Sequence, residues 1–229
     1  MKTAVITGGS GAIGSALVEE FSTDHRVIFT YLKSRNKAEE IAEKYGAEAV
    51  CCDITSEDDI KKLCTVTNRC DLLINNAGIS YTGLFTDMSY SAVSEIINTD
   101  LLGTMLVTKA FLPFLISHKS GCIINISSIW GIHGASCEVA YSAAKAGVVG
   151  FTKALARETG LSGVRVNCIA PGLIESEMNA HLSADELEEF VSETSLSRIG
   201  KPSDVAQAAR YLSQADFVTG QVLAVDGGF

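Results

Sequence analysis

Seven short apolar runs alternate along the chain with segments that have the residue spacing of amphipathic helices. The runs are residues 3–7, 26–32, 47–52, 71–75, 121–127, 164–170 and 221–225. Both faces of each run are apolar, which is typical of buried parallel strands and not of half-exposed antiparallel ones. The helical segments lie near 12–21, 36–45, 56–67, 88–118 (as two helices), 139–160 and 202–213. This alternation predicts an α/β fold with a doubly wound parallel sheet of about seven strands.

The composition is that of one globular domain. The chain has 229 residues, 47% of them hydrophobic and 20% charged, with no internal repeat or linker, so a single domain over 1–229 is expected. The net charge of −9, with no basic stripe, argues against nucleic acid and anionic membranes as partners. No leader-like segment opens the sequence and no apolar run reaches the length of a membrane span, so a cytoplasmic protein is expected.

The seven cysteines and the histidines do not indicate a metal site. No CxxC pair occurs, and several cysteines lie inside strand-like runs, which favours buried reduced thiols. His133 has no cluster of other ligand residues near it in the sequence, so it is interpreted as a loop residue.

A glycine-rich turn, TGGSGAIG (7–14), follows the first predicted strand and opens the first helix. Such a turn lets backbone N–H groups and the positive end of a helix approach a pyrophosphate, as in a Rossmann-type fold. It is not a P-loop, because Ser15 stands where the lysine is required. A purely structural strand-to-helix turn remains the alternative.

The end of the second strand bears on which dinucleotide would bind. NAD-binding proteins usually offer an acidic residue there to the ribose hydroxyls. The stretch TYLKSRN (30–36) has no acid but contains Lys33 and Arg35, which would suit a 2′-phosphate. NADP(H) is therefore favoured and NAD(H) is possible; the alternative is that both side chains are simply solvated.

Several ordered motifs together resemble the short-chain dehydrogenase/reductase family over almost the whole chain. The turn at 7–14 is similar to that family's TGxxxGxG, and NNAG (75–78) to its signature after the fourth strand. Tyr141 and Lys145 form its YxxxK motif, and Ser128 precedes Tyr141 by the usual thirteen residues. The strings RVN (165–167), PGLIESEM (171–178) and DGG (226–228) also fall where the family has similar ones.

The resemblance implies a catalytic group of Ser128, Tyr141 and Lys145. Tyr141 would exchange the proton of a carbonyl or alcohol oxygen, and Ser128 would orient that oxygen. Lys145 lies one helical turn from Tyr141, so its charge is expected to lower the pKa of the phenol, and it would also hold the nicotinamide ribose. Ser127 would have only a structural role.

The resemblance also implies a set of residues that line the cofactor cleft. Besides Tyr141, Lys145, Lys33 and Arg35, they are Gly8, Ser10, Gly11, Ile13 and Gly14 in the turn, Asp53 and Ile54 at the adenine, Asn75, Ala77 and Gly78 after the fourth strand, and Pro171, Gly172, Ile174 and Ser176 after the sixth.

Two positions depart from the family pattern. Ala12 replaces the middle glycine of the turn, where a methyl group could crowd a phosphate. Asp100 stands where relatives have an asparagine that completes a proton relay, and we expect the aspartate to keep that relay role. These departures leave open a protein of another class, a nucleotide sensor or scaffold without turnover.

Only the resemblance to known proteins limits which substrates are considered. The chain is close to bacterial 3-oxoacyl-[acyl-carrier-protein] reductases, which implies a small or protein-tethered carbonyl substrate and a homotetramer or dimer. Cys122 and Ser162 stand where arginines that suit an acidic carrier protein are expected. A substrate lid is predicted at about 173–200, where seven acids and no lysine or arginine occur from 173 to 197; a merely solvated acidic face is the alternative.

A second resemblance comes from SSIWGIHGASCEV (127–139), which is similar to a subset described as elongation factor P 5-aminopentanone reductases. In that interpretation Glu138 would receive an amine-bearing substrate, although it could instead cap the next helix. Trp130 would form a pocket wall or an interface. Glu138 and Trp130 are therefore the candidate substrate residues.

Overall fold

The structure is a computed structural model that describes residues 1–179 and 182–229. The strands in the described residues are β1 (Lys2–Ile6), β2 (His25–Tyr31), β3 (Glu48–Cys51), β4 (Leu72–Asn75), β5 (Gly121–Ile126), β6 (Val164–Pro171) and β7 (Val222–Val225). They form one sheet in the order β3-β2-β1-β4-β5-β6-β7, and every neighbouring pair is parallel. The predicted doubly wound parallel sheet is confirmed, with strand limits within a few residues of the apolar runs.

Helices cover both faces of the sheet. They are α1 (Ala12–Phe21), α2 (Arg35–Tyr45), α3 (Glu57–Thr67), α4 (Tyr90–Ile96), α5 (Thr104–Ser117), α6 (Trp130–His133), α7 (Val139–Thr159), α8 (Ala184–Glu193) and α9 (Pro202–Gln214), with short 3₁₀ turns at Phe85–Asp87, Gly160–Ser162 and Glu177–Asn179. One core cluster joins the sheet to α1, α2 and α9, and a second joins it to α3, α5 and α7. Chain order reverses between β1 and β4, so the strand ends there open a crevice.

The two helices predicted in 88–118 are α4 and α5, which a π-helical turn at Ile97–Gly103 joins without a break. The combined helix Tyr90–Ser117 has 28 residues and contains an 18-residue window with a mean hydropathy of 1.4, so by length and composition alone it could cross a membrane. Its Val107, Phe111 and Leu115 are fully buried in the second core cluster, which is the packing of a core helix.

A buried polar network fixes the central strands to the helices above them. Asn75 Nδ2 donates to Thr108 Oγ1 on α5 and to Asn125 Oδ1 on β5, both at 2.8 Å. Asn125 Nδ2 in turn donates to Thr152 Oγ1 on α7 at 2.9 Å. All four side chains are buried, so these bonds specify how α5 and α7 sit on the sheet.

The network makes a stability prediction. Thr152→Val keeps the side-chain shape but leaves the buried Nδ2 of Asn125 without its acceptor, so the free energy of unfolding should fall by about 1–3 kcal/mol in chemical denaturation. Thr65→Val is the matched control. The Thr65 hydroxyl donates to the carbonyl of Lys61 on the same helix, but it is exposed. An equal loss in both variants would contradict a role for the network in stability.

Candidate active site

A cleft of about 770 Å³ opens at the carboxyl ends of β1, β4, β5 and β6. The glycine turn forms one wall. Gly8 has a left-handed backbone (φ +66°), and a Cβ there would lie 2.8 Å from Ala77 Cα. At Gly14 a Cβ would collide with the Gly8 carbonyl oxygen. The turn is therefore compact because only glycine fits at these two positions.

The start of α1 faces this cleft and can bind an anion. The helix begins at Ala12 with Gly11 as its N-cap, so the N–H groups of its first residues have no intrahelical partner. The cleft is lined by the predicted Gly8, Ser10, Gly11, Ile13 and Gly14, and also by Ala12. Ala12 lies in the first turn of α1. The unpaired N–H groups and the positive helix end suit a pyrophosphate.

Residues after β2 and β3 form the outer end of the cleft. Lys33 lines it, as do Asp53 and Ile54. Arg35 does not, although it was predicted to: its side chain is 74% exposed, and its Nε bonds Glu39 Oε1 at 2.8 Å on the same helix. Of the two predicted cations, Lys33 lines the cleft and Arg35 does not.

The NNAG stretch divides between the core and the cleft. Asn75 was predicted to line the cleft but is the last residue of β4, and its side chain points into the buried network described above. Asn76 lines the cleft instead, together with Ala77 and Gly78. Asn76 Nδ2 donates to the carbonyls of Thr7 and Gly8 at 3.0 and 3.1 Å, so it holds the glycine turn against the end of β4.

Ser128, Tyr141 and Lys145 meet in the cleft as predicted from their spacing. Ser128 follows β5, while Tyr141 and Lys145 lie one turn apart on α7. Ser128 Oγ accepts a hydrogen bond from the Trp130 N–H at 3.1 Å, and the Ser128 hydroxyl also bonds Tyr141. Ser127 is buried, and its Oγ donates to the Lys145 carbonyl at 2.9 Å, which ties α7 to the end of β5.

Lys145 is held by a buried carboxylate. Its Nζ lies 3.0 Å from Asp100 Oδ2 and donates to the Ile126 carbonyl at 3.3 Å. Asp100 lies in the π-helical turn and is fully buried, and its Oδ1 accepts from the Ile79 N–H at 2.9 Å. Asp100 Oδ2 makes the ion pair but no well-aligned hydrogen bond, so it can still accept a hydrogen bond.

The electrostatics of Tyr141 differ from the sequence expectation. Burial raises the pKa of its phenol above the ordinary value, and this effect outweighs the lowering that the Lys145 ammonium produces. Burial alone would lower the pKa of Lys145, but the Asp100 carboxylate reverses the effect and raises it. Lys145 is therefore a stable cation, while Tyr141 is held as a neutral phenol.

Aromatic side chains line the far end of the cleft. Trp130 packs edge-to-face on Phe190 of α8 and on the C-terminal Phe229, with centroid distances of 6.0 and 5.5 Å. Phe190 and Phe229 stack at 4.9 Å. Trp130 and Phe190 thus line the cleft, and Phe229 packs on both of them.

Two carboxylates also line the cleft. Glu138 lines the cleft at the N-cap position of α7 and does not cap the helix with its side chain. Glu95, from α4, also lines it and was not predicted. Nothing in the sequence near Glu95 signals the cleft, because its place depends on how α4 packs.

The segment after β6 covers part of the cleft. Its Pro171, Gly172, Ile174 and Ser176 line the cleft as predicted. Lys37 on α2 reaches Glu177 at 2.8 Å across the mouth. A capping box formed by Ser183 and Glu186 starts α8. Residues 180 and 181 of the predicted lid lie outside the described residues.

The residues present fit a dinucleotide. The glycine cradle and the open N–H groups of α1 suit its phosphates, and Asp100 Oδ2 is a buried acceptor beside the Lys145 ammonium at the reactive end. Within residues 1–179 and 182–229 no group of three or more His, Cys, Asp or Glu is placed to hold a metal ion. The arrangement can bind a nucleotide, orient an oxygen with two hydroxyls and transfer a proton from a phenol.

Comparison with known proteins agrees with this chemistry. A family model described as Enoyl-(Acyl carrier protein) reductase matches residues 9–229. The chain is 37% identical to oxidoreductase YmfI of Bacillus subtilis, over 100% of this chain and 98% of the relative. It is 38% identical to 3-oxoacyl-[acyl-carrier-protein] reductase FabG of Aquifex aeolicus, over 99% and 96% of the two chains. It is also 38% identical to carbonyl reductase family member 4 of Danio rerio, over 99% and 97%.

Proposed function

Because the chain belongs to the short-chain dehydrogenase/reductase family and is an oxidoreductase of carbonyl and hydroxyl groups, we propose that it reduces a ketone with NADPH. The observation that carries the proposal is the meeting of Ser128, Tyr141 and Lys145 in one cleft beside the glycine turn. The departure at Asp100 does not argue for a protein without turnover, because its carboxylate holds Lys145 in the cleft.

The family implies a nicotinamide cofactor, and NADPH when bound supplies the hydride that adds to the carbonyl carbon. The glycine turn and the first turn of α1 would hold its pyrophosphate, and Lys33 would pair with the 2′-phosphate. Asp53 and Ile54, which line the cleft, would border the adenine, and Ile174 and Ser176 would border the nicotinamide. Lys145 would bind the nicotinamide ribose with the one N–H that Asp100 and the Ile126 carbonyl leave open.

Tyr141 is the proton donor of the reaction. As hydride reaches the carbon, the phenol O–H breaks and its proton passes to the carbonyl oxygen, so the ketone becomes an alcohol. Ser128 donates a hydrogen bond to the same oxygen and orients it. The tyrosinate that remains regains a proton from solvent, with Asp100 Oδ2 beside Lys145 as an acceptor for a relay water. Overall, ketone, NADPH and a proton give alcohol and NADP⁺.

The substrate of first choice is a 3-oxoacyl thioester, because relatives over the full chain are named 3-oxoacyl-[acyl-carrier-protein] reductases. The second candidate is an amine-bearing ketone such as the 5-aminopentanone adduct on elongation factor P. The specific observation that favours it is the presence of two carboxylates, Glu95 and Glu138, in the lining of the same cleft. We further propose a cytoplasmic homotetramer or homodimer.

The mechanism predicts that Tyr141→Phe lowers kcat for ketone reduction by about 10²–10⁴-fold while NADPH still binds. The NADPH absorbance over a panel of ketones and 3-oxoacyl thioesters measures turnover, and NADPH fluorescence measures binding. Tyr211→Phe, on an exposed tyrosine, is the matched control. Full activity of Tyr141→Phe would refute the mechanism, and nucleotide binding by the wild type without turnover of any ketone would favour the sensor.

The cofactor proposal predicts that Lys33→Gln raises the KM for NADPH roughly tenfold and leaves the KM for NADH unchanged, because only NADPH has a 2′-phosphate. Initial rates with each nucleotide measure both constants. Arg35→Gln is the comparison variant and should have a smaller effect, because Arg35 is turned toward Glu39. A wild-type enzyme that prefers NADH would refute the proposal.

The amine-bearing candidate predicts charge discrimination. A ketone with a trimethylammonium group should have a lower KM than its tert-butyl isostere, and Glu138→Gln should raise the KM of the cationic ketone alone, by roughly tenfold. Glu158→Gln, on the exposed face of α7, is the matched control. If both ketones respond equally to Glu138→Gln, the carboxylate does not recognise the amine and the thioester candidate is favoured.

A further inference from the structure

Asp100 and Lys145 form a fully enclosed ion pair. Their side chains are 0% and 5% exposed, and 3.0 Å separates Asp100 Oδ2 from Lys145 Nζ. Close packing fixes the pair: a Cβ on Gly78 would lie 2.8 Å from Asp100 Oδ2 and 3.1 Å from Lys145 Nζ. The Ile79 N–H holds the other carboxylate oxygen. Two charges placed so rigidly in a buried site act strongly on any third group beside them.

That third group is Tyr141, whose ring centroid lies 5.5 Å from Lys145 Nζ. The charged and titratable groups that face Tyr141 are Lys145 and Glu138 on its own helix and Asp100 from the π-helical turn, with the Ser128 hydroxyl after β5. Lys145 also faces the buried thiol of Cys168 on β6, whose pKa burial raises to about 11. The strongest opposing charges in the group are therefore Lys145 and Asp100.

Counting the buried charges shows what Asp100 does. With the carboxylate in place, Lys145 and Asp100 cancel, and loss of the phenol proton would create a net negative charge in the interior. With an uncharged residue at position 100, the interior would start with one positive charge, and loss of the same proton would cancel it. Creating a buried charge is costly and removing one is favourable. The carboxylate therefore opposes formation of the tyrosinate.

We propose that Asp100 is a positioning residue that cancels the charge of Lys145, keeps Tyr141 protonated through neutral pH, and so suits the site to carbonyl reduction while confining alcohol oxidation to alkaline pH. The inference rests on the proposed function, in which Tyr141 is the proton donor. Reduction begins with the phenol, which loses its proton to the carbonyl oxygen. Oxidation needs the tyrosinate, which takes the alcohol proton as hydride leaves the carbon for NADP⁺.

The decisive experiment follows Tyr141 itself, without cofactor. The protein is labelled with ¹³C at tyrosine Cζ, and the Tyr141 resonance is identified by its loss in Tyr141→Phe. Its titration in Asp100→Asn should move to lower pH by about one unit, because Asn keeps the shape of the side chain and removes only the charge. Glu138→Gln is the matched control: it also removes a facing carboxylate but not the counter-ion of Lys145, so its shift should be smaller. An unchanged midpoint in Asp100→Asn, or a move to higher pH, would overturn the inference.

Lys145→Met gives a second, opposite arm that does not depend on Asp100→Asn folding. It removes the cation and leaves Asp100, so the Tyr141 titration should move to higher pH. A move to lower pH would overturn the inference.

Kinetics test the direction of the reaction. In Asp100→Asn, the rising limb of the pH profile for alcohol oxidation should move to lower pH by the same amount as the titration, and the alkaline fall of ketone reduction should move with it. Profiles that stay in place while the resonance shifts would overturn the link to direction. Failure of the proposed function is recognised separately, by an active Tyr141→Phe enzyme.

Discussion

The buried ion pair between Asp100 and Lys145 is the constraint on which the rest of the cleft depends. Burying two charges is costly unless further hydrogen bonds satisfy them. The Ile79 N–H and the Ile126 carbonyl provide those bonds, so the ends of β4 and β5 must meet the π-helical turn and α7 at fixed distances. The π-helical turn thus changes the helical geometry within a long, continuous core helix, at the point where the Asp100 carboxylate lies in the interior.

The sequence predicted the sheet from local patterns, and it predicted most of the cleft through its resemblance to a family whose motifs follow the strands. Strands buried on both faces are apolar at every position, and the ends of parallel strands gather at one edge, so motifs that follow strands meet there. The spacing of Tyr141 and Lys145 needed only the pitch of a helix. The roles assigned to these residues stay proposals, since the structure shows where they lie and not what they do.

The predictions that failed depended on side-chain direction or on competition between forces. Asn75 and Asn76 are adjacent, and motif position alone did not tell which one faces the core. The side chain of Asn75 belongs to the buried network. The Arg35 side chain forms an ion pair with Glu39, one turn along its own helix. The charge of Lys145 suggested a lowered pKa for Tyr141. Burial and the Asp100 carboxylate both raise that pKa, and neither effect can be read from the spacing of residues in the sequence. The stacking of Phe229 on Phe190 joins distant parts of the chain and left no local signal.

The distribution of charge along the cleft explains how an acidic protein can bind an anionic nucleotide. The chain carries a net charge of −9, but charges farther than a Debye length of about 8 Å at physiological salt are largely screened. What a phosphate meets is therefore set by the groups beside it, which are the N–H groups of α1 and Lys33. The carboxylates Glu95 and Glu138 line the same cleft, together with Trp130 and Phe190. The phosphate-binding groups and these carboxylates have opposite preferences for charge, and the neutral Asp100–Lys145 pair lies beside Tyr141, the proposed proton donor to the carbonyl oxygen.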